Sequence, residues 1–160
     1  MRIYTAQLDA LALDERGAPG AWITCLQSAI PRPGQYALAS LTADSAPQTM
    51  SNEPLGRTLF PAHIQPGRFY APLDTQLAAS VSGWEPGARI KLLGPLGNGF
   101  NLPAQAARVA LACLDSPATL LPLVEATLER EVVLFCNGPL PDLPTAVEAQ
   151  PLSALPDALA

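Results

Sequence analysis

Short stretches of alternating apolar and polar residues, separated by Pro-Gly turns, fill the first hundred positions, and a different pattern follows them. Residues 1–13 alternate like a half-buried strand, and residues 21–26 repeat the pattern after a turn at 16–20. The Pro33-Gly34 turn opens into a third strand through Gln35, Tyr36 and Ala39. Further strands are predicted at 58–64, 68–73 and 89–93, with a tight turn at Pro86-Gly87. Residues 43–56 are polar, carry proline and show no period, which predicts a long surface loop. A helix or turn is predicted at 75–81. Five or six short strands punctuated in this way favour a small antiparallel β-barrel.

The change of pattern falls at Leu93 to Phe100, a run that reads Leu-Gly-Pro-Leu-Gly-Asn-Gly-Phe. Its glycines and proline predict a tight turn where backbone can approach a ligand closely. Residues 108–114 then form a continuous apolar run of the buried-strand type. Asp115-Ser116-Pro117 supplies a helix start, with an acceptor at the cap and proline at the first helical position. Leu120, Leu121, Leu123, Val124 and Leu128 give that helix an apolar face, and Glu125, Glu129 and Arg130 a wet one. Pro122 lies about one turn in, where a kink is expected. Residues 131–136 form a second buried strand, 145–149 a third, and 152–159 a short terminal helix or turn. A strand–helix–strand unit of this length predicts a right-handed crossover in a parallel sheet. The expected fold class is therefore a β-barrel plus α/β: a barrel domain at 1–102 and a truncated Rossmann-like unit at 103–160.

Composition narrows the partners. Of 160 residues, 49% are hydrophobic and 14% charged, so apolar surface is expected to be covered by another subunit. The net charge of -5 and nine scattered cations exclude nucleic acid and an anionic membrane as partners. No apolar run approaches the roughly 20 residues that span a bilayer, and the first residues read as strand rather than signal peptide, so a cytoplasmic protein is expected. Cys25, Cys113 and Cys136 lie far apart without a Cys-x-x-Cys, which gives no zinc knuckle and no disulfide framework.

The Pro-Gly-Gln-Tyr entry at 33–36, the second Pro-Gly turn, the Gly-Pro-Leu-Gly-Asn-Gly-Phe exit at 94–100 and the following α/β pattern resemble the ferredoxin reductase-like superfamily. Within it the chain most resembles the electron-transfer subunit of two-subunit dihydroorotate dehydrogenases, over roughly residues 1–140. The resemblance implies FAD in the barrel, a pyridine nucleotide in the α/β domain and an iron-sulfur cluster in a cysteine-rich tail. The family's flavin motif, an arginine followed by residues that line the isoalloxazine ring, matches Arg57, Thr58, Leu59 and Phe60. Arg57 then contacts the pyrophosphate, Leu59 meets the ring, and Phe60 stands where the family has a hydroxyl donor. Thr75 matches a second pyrophosphate contact, beside an Asp74 of unfavourable charge. Gly94, Gly97, Asn98 and Gly99 belong to the cofactor-side turn.

The family's glycine-rich nucleotide turn aligns with residues 112–119, where all its glycines are replaced and Asp115 stands at the helix start. A unit charge about 4 Å from a phosphate charge repels it by roughly 4 kcal/mol at an effective dielectric near 20, so NAD(P) binding in the family's usual way is not expected. The clustered cysteines of the tail are absent, so no iron-sulfur cluster is expected. His63 reads as structural or exposed, and Trp22 and Trp84 as barrel core or rim. Cys113 and Cys136 end neighbouring strands and read as packed thiols, with a redox pair as the other reading. Two functions follow from the resemblance and its losses. One is an FAD-binding electron-transfer subunit working with a partner oxidoreductase subunit or as a homo-oligomer; the other is a non-catalytic assembly or regulatory module without cofactor.

Overall fold

The computed structural model describes residues 2–13, 19–41, 56–73, 84–114, 120–138, 140 and 142–158. The chain forms two compact units, Met1–Gly99 and Phe100–Ala160. The loop expected at 43–56 lies outside the described residues except for Gly56, and the helix or turn expected at 75–81 lies wholly outside them.

The first unit is a seven-stranded antiparallel sheet. Its strands are β1 (Ile3–Leu13), β2 (Pro19–Thr24), β3 (Tyr36–Leu41), β4 (Arg57–Leu59), β5 (His63–Gln65), β6 (Arg68–Pro72) and β7 (Arg89–Leu96), in the order β4-β3-β7-β1-β2-β6-β5. β1 pairs through residues 3–7 with β7 and through residues 7–13 with β2. A register shift between Leu8 and Ala10 bends it between these partners. Alternate residues of the strands supply one core: Ala6 and Leu8, Ala21 and Ile23, Ala37 and Ala39, Leu59, Phe69 and Ala71, Ile90 and Leu92, with Trp84 among them.

The segment expected to be one strand at 58–64 is two, and they lie at opposite edges of the sheet. Pro61 has no N–H for a ladder bond and interrupts the strand between them. This split dictates the form of the sheet. From Leu59 to His63 the chain takes four steps and reaches at most about 14 Å. In a flat sheet six interstrand spacings would separate β4 from β5 by about 29 Å. The sheet must therefore curl around its core until its two edge strands stand within reach of residues 60–62.

The second unit is a three-stranded parallel sheet of β8 (Arg108–Cys113), β9 (Glu131–Cys136) and β10 (Val147–Pro151), in the order β10-β9-β8. Val109, Leu111 and Cys113 of β8 and Val132, Leu134 and Cys136 of β9 face Leu123 and Val124 of α1 (Leu121–Glu125). Residues 115–119, where the helix start was expected, lie outside the described residues. Pro122 falls in the first turn of α1, where its missing N–H has no intrahelical bond to lose, and no interior kink arises. After α1, the buried Thr127 hydroxyl donates to the carbonyls of Leu123 and Val124 at 2.8 and 3.0 Å. The chain closes with a single 3-10 turn and α2 (Leu155–Ala158).

β8 departs from the buried-strand expectation. Its residues alternate, with Val109, Leu111 and Cys113 buried and Arg108, Ala110 and Ala112 exposed. Arg108 and Glu131 stand opposite each other in register and form a bidentate pair at 2.6 Å on the exposed surface. The guanidinium hydrogen bonds hold the Glu131 carboxyl below its usual range, and the carboxylate in turn raises Arg108. No helix among the described residues is long and apolar enough to cross a membrane.

Candidate functional site

The expected site gathers around the edge formed by β3 and β4. Ala37 pairs with Leu59, Leu38 with Thr58 and Ala39 with Arg57. Thr58 is exposed and Arg57 half-buried. Leu59, expected to meet a flavin ring, is fully buried among the core residues, so its side chain turns away from solvent. The exposed aromatic surface comes instead from Phe60, which is 46% exposed and packs on Tyr36 with ring centroids 5.6 Å apart. Such a tilted pair presents π surface held by a neighbouring ring, so little freedom is lost when a flat ligand stacks on it.

The glycine run divides between strand and turn. Gly94, Pro95 and Leu96 belong to β7 rather than to a turn, and the Gly94–Pro95 peptide is cis. Tyr36 pairs with Leu96 and Leu38 with Leu93, so β7 carries one more residue than β3 at this point and bulges. The turn begins at Gly97, whose φ of 82° suits glycine alone without strain. A Cβ there would stand 3.5 Å from the Tyr36 ring, so this loop borders the aromatic pair. Asn98 is exposed and Gly99 half-buried beside the Pro33 carbonyl.

Gln35 fastens the two turns together. Its side-chain carbonyl accepts from the Arg32 N–H at 3.1 Å, and its amide donates to the Gly97 carbonyl at 3.1 Å. Its own N–H donates to the Arg32 carbonyl at 2.8 Å, which closes the Pro33-Gly34 turn. The Pro-Gly-Gln-Tyr entry and the glycine exit are thus halves of one local structure. Arg57, Thr58, Gly97, Asn98 and Gly99 lie on the strands and turns around it, with Gly94 further in on β7, before Pro95 and Leu96. Thr75, and with it Asp74 and Asp115, lies outside the described residues.

The contact between Tyr36 and Phe60 was not foreseen by sequence reasoning. Phe60 registers there only as a lost hydroxyl, and Tyr36 only as part of a turn motif. What joins them is the β3–β4 ladder, which pairs Ala37 with Leu59 next to both rings.

The remaining reactive groups are quiet. His63 is exposed, with its ring 6.1 Å from that of Tyr70. Trp84 lies in the core, and Trp22 is half-buried with Arg68 stacked 4.6 Å above its ring. All three cysteines are free thiols. Burial pushes Cys25 up to about 11. Burial and the facing Cys113 raise Cys136, its register partner on the neighbouring strand. Thiols so raised stay protonated near neutral pH and are poor nucleophiles.

No protein-family model matches this sequence, and no curated protein does. Solved structures share its fold at low identity. A ferredoxin reductase in carbazole 1,9a-dioxygenase matches with a TM-score of 0.67 and 15% identity over 92% of this chain and 48% of its own. A siderophore-interacting protein from Acinetobacter baumannii matches with a TM-score of 0.63 and 16% identity, over 100% of this chain and 74% of its own. The flavohem-like FAD/NAD binding domain of a nitric oxide dioxygenase from Vibrio cholerae matches with a TM-score of 0.59 and 12% identity, over 84% of this chain and 63% of its own. The chain thus spans about half the length of the dioxygenase reductase. At these identities the likeness is one of fold: an antiparallel sheet followed by a small parallel one, arranged as in ferredoxin reductase-like proteins.

Proposed function

We propose that the chain binds FAD on its first unit and serves as the electron-transfer part of a ferredoxin reductase-like oxidoreductase, passing electrons to or from a partner protein. One observation carries the reading: exposed Phe60, packed on half-buried Tyr36, lies beside the same β3–β4 edge as Arg57, in a fold shared with an FAD/NAD binding domain. The residues present fit the group. An aromatic platform takes a flat ring, and a guanidinium on the same edge suits a pyrophosphate. Thr58 and the backbone of Gly97, Asn98 and Gly99 would flank the same edge, with Gly94 further along β7 and Thr75 as a second phosphate contact. The curled sheet is read as the family's barrel. The order of the sequence motifs favours the electron-transfer subunit of the dihydroorotate dehydrogenases among possible kin, and a cytoplasmic setting goes with it.

Bound flavin would supply the capacity to hold one or two electrons, which no side chain here provides. Phe60 and Tyr36 would orient its ring and keep water from one face. Arg57 would neutralise phosphate charge. Phe60, lacking a hydroxyl, offers the ring no hydrogen bond, so flavin reactivity would be set by stacking rather than by a donor. Electrons are expected to come from a partner, because the replaced glycines and Asp115 disfavour a dinucleotide in the second unit.

The visible spectrum of the purified protein, followed by FAD titration, tests the proposal. A yellow protein with near-stoichiometric flavin is expected. Arg57→Ala should weaken FAD about ten- to hundredfold, since a charged hydrogen bond contributes about 1.5–3 kcal/mol. Phe60→Ala should weaken it about tenfold, and millimolar NADH should give no thermal protection. A colourless protein whose unfolding ignores added FAD overturns the reading and leaves the cofactor-free assembly module.

A further inference from the structure

Gly97, Asn98 and Gly99 bring two glycines into one short turn, a composition that leaves the backbone free to sample many shapes. Among the described residues and outside the β3–β7 ladder, the one hydrogen bond to this turn runs from the Gln35 amide to the Gly97 carbonyl at 3.1 Å. The same side chain accepts from the Arg32 N–H at 3.1 Å. Backbone chemistry fixes both roles: Arg32 presents a donor and Gly97 an acceptor, so one orientation of the side-chain amide satisfies the two. The stem of Gln35 also packs against the turn. A Cβ on Gly99 would stand 3.7 Å from Gln35 Cγ and 3.4 Å from the Pro33 carbonyl oxygen, and one on Gly97 would stand 3.5 Å from the Tyr36 ring. Other side chains fall short of this bridge. Glutamate at neutral pH lacks the donor, lysine the acceptor, asparagine a methylene and methionine both polar groups.

We propose that Gln35 is a positioning residue. By tying the glycine turn to the Pro33-Gly34 turn, it holds the Gly97–Gly99 backbone beside the Tyr36 ring, and a flat ligand stacked on Phe60 and Tyr36 meets an edge that is already ordered. Gln35 itself touches no ligand in this arrangement; it acts through Gly97 and Tyr36. The gain is entropic. Without the tie the ligand would have to order the glycine turn as it binds, and its affinity would fall by that cost. Preset geometry of this kind depends on the residues that support the contact surface as much as on the surface itself. The inference rests on the flavin reading for the ligand, FAD, whereas the tie belongs to the flavin-free chain.

FAD titration of the full chain as wild type, Gln35→Met and Gln35→Glu tests it, together with amide exchange of the same chains without flavin. Gln35→Met keeps the length of the side chain and removes both bonds. It should speed exchange at Asn98 and Gly99 severalfold and weaken FAD about two- to tenfold, the worth of one neutral hydrogen bond. Gln35→Glu keeps the acceptor for Arg32 but sets a carboxylate against the Gly97 carbonyl, so at neutral pH it should weaken FAD at least as much. Once protonated, the introduced carboxyl can donate to Gly97, and affinity should return toward that of the wild type at the same pH. The facing carbonyl disfavours the charged form, so the return should begin above the usual carboxyl value of about 4.3. Arg32 is the only charged residue on the two turns, and arginine does not titrate there. Gln35→Met should show no such return, and if it fails to fold, the pH profile of Gln35→Glu decides alone. Equal FAD affinity in all three chains, a Gln35→Glu defect that ignores pH, or unchanged exchange at Asn98 and Gly99 in Gln35→Met would each overturn the role of Gln35 with the flavin reading intact. A wild type that takes no FAD overturns the flavin reading, and the role with it.

Discussion

On the outer face of β2 and β6, Tyr70 lies across Gly20, packs on Trp22 with centroids 5.4 Å apart and has the His63 ring beside it. On the outer face of β8 the corresponding positions are Ala110 and Ala112, exposed to solvent. The antiparallel sheet curls onto its own core and clothes part of its outer surface with rings. The parallel sheet has a core on the side of α1, an edge at β8 that pairs with β9 alone among the described residues, and alanines on the outer face of that strand. A unit of the first kind is expected to be stable by itself. One of the second kind draws stability from whatever pairs with it, and its unfolding should then depend on protein concentration.

The sharpest way to break this contrast is to weaken each core and read each unit separately. Both tryptophans, Trp22 and Trp84, lie in the first unit, so tryptophan fluorescence reports that unit alone. Phe69 is fully buried there, and Phe69→Ala should lower the stability read by fluorescence by about 3–5 kcal/mol. The loss should be the same in dilute and concentrated protein. Leu134, equally buried between β8 and β10, should cost about 2–5 kcal/mol as Leu134→Ala, read by circular dichroism after the fluorescence change is subtracted. That second loss should grow on dilution. Concentration dependence in the fluorescence transition, or its absence in the other, would reverse the assignment of which unit is self-sufficient.

The strands themselves were largely legible. β9 occupies the predicted residues 131–136, and β6 and β8 fall within one residue of their predicted ends, because branched apolar runs bounded by charge or proline have few other conformations. What linear reading did not reach was decided by pairing. Pro61 signals a break, yet nothing local says that the two halves belong to opposite edges. The alanines of β8 read as buried because they are apolar, whereas their small side chains make exposure cheap. Around the β3–β4 edge, the turns at Pro33-Gly34 and Gly97 were legible as turns. The burial of Leu59 and the contact of Phe60 with Tyr36 were not legible, because strand parity decides the first and pairing with another strand the second.

A smaller effect tests the aromatic cover of the first sheet. A Cβ on Gly20 would fall 2.0 Å from the Tyr70 hydroxyl oxygen and 2.1 Å from the ring carbon that bears it. Gly20→Ala must displace the ring, and with it the contact to Trp22. Overpacking of this kind should cost about 1–3 kcal/mol, with a shift in Trp22 emission. A neutral Gly20→Ala with unchanged emission would mean that the ring is not held there, and the outer faces of the two sheets would be less different than they look.

The smallest expected effect concerns the pair that ties the start of β8 to β9. Both Arg108 and Glu131 are exposed, so their bidentate contact is weakly worth having and readily screened. The folded carboxyl of Glu131 titrates below its usual value, so the contribution is complete above the unfolded carboxylate pKa of about 4.3 and fades as the pH falls through the lower folded value. Thermal unfolding of the wild type and Glu131→Gln should therefore differ slightly at neutral pH and converge in acid. They should also converge in about 1 M salt, where the Debye length is about 3 Å. If Glu131→Gln instead destabilises the chain as much as Leu134→Ala, then β8 is held to its sheet by this ion pair rather than by Val109, Leu111 and Cys113. The open edge would then be a weakly attached strand rather than a firm template for a partner.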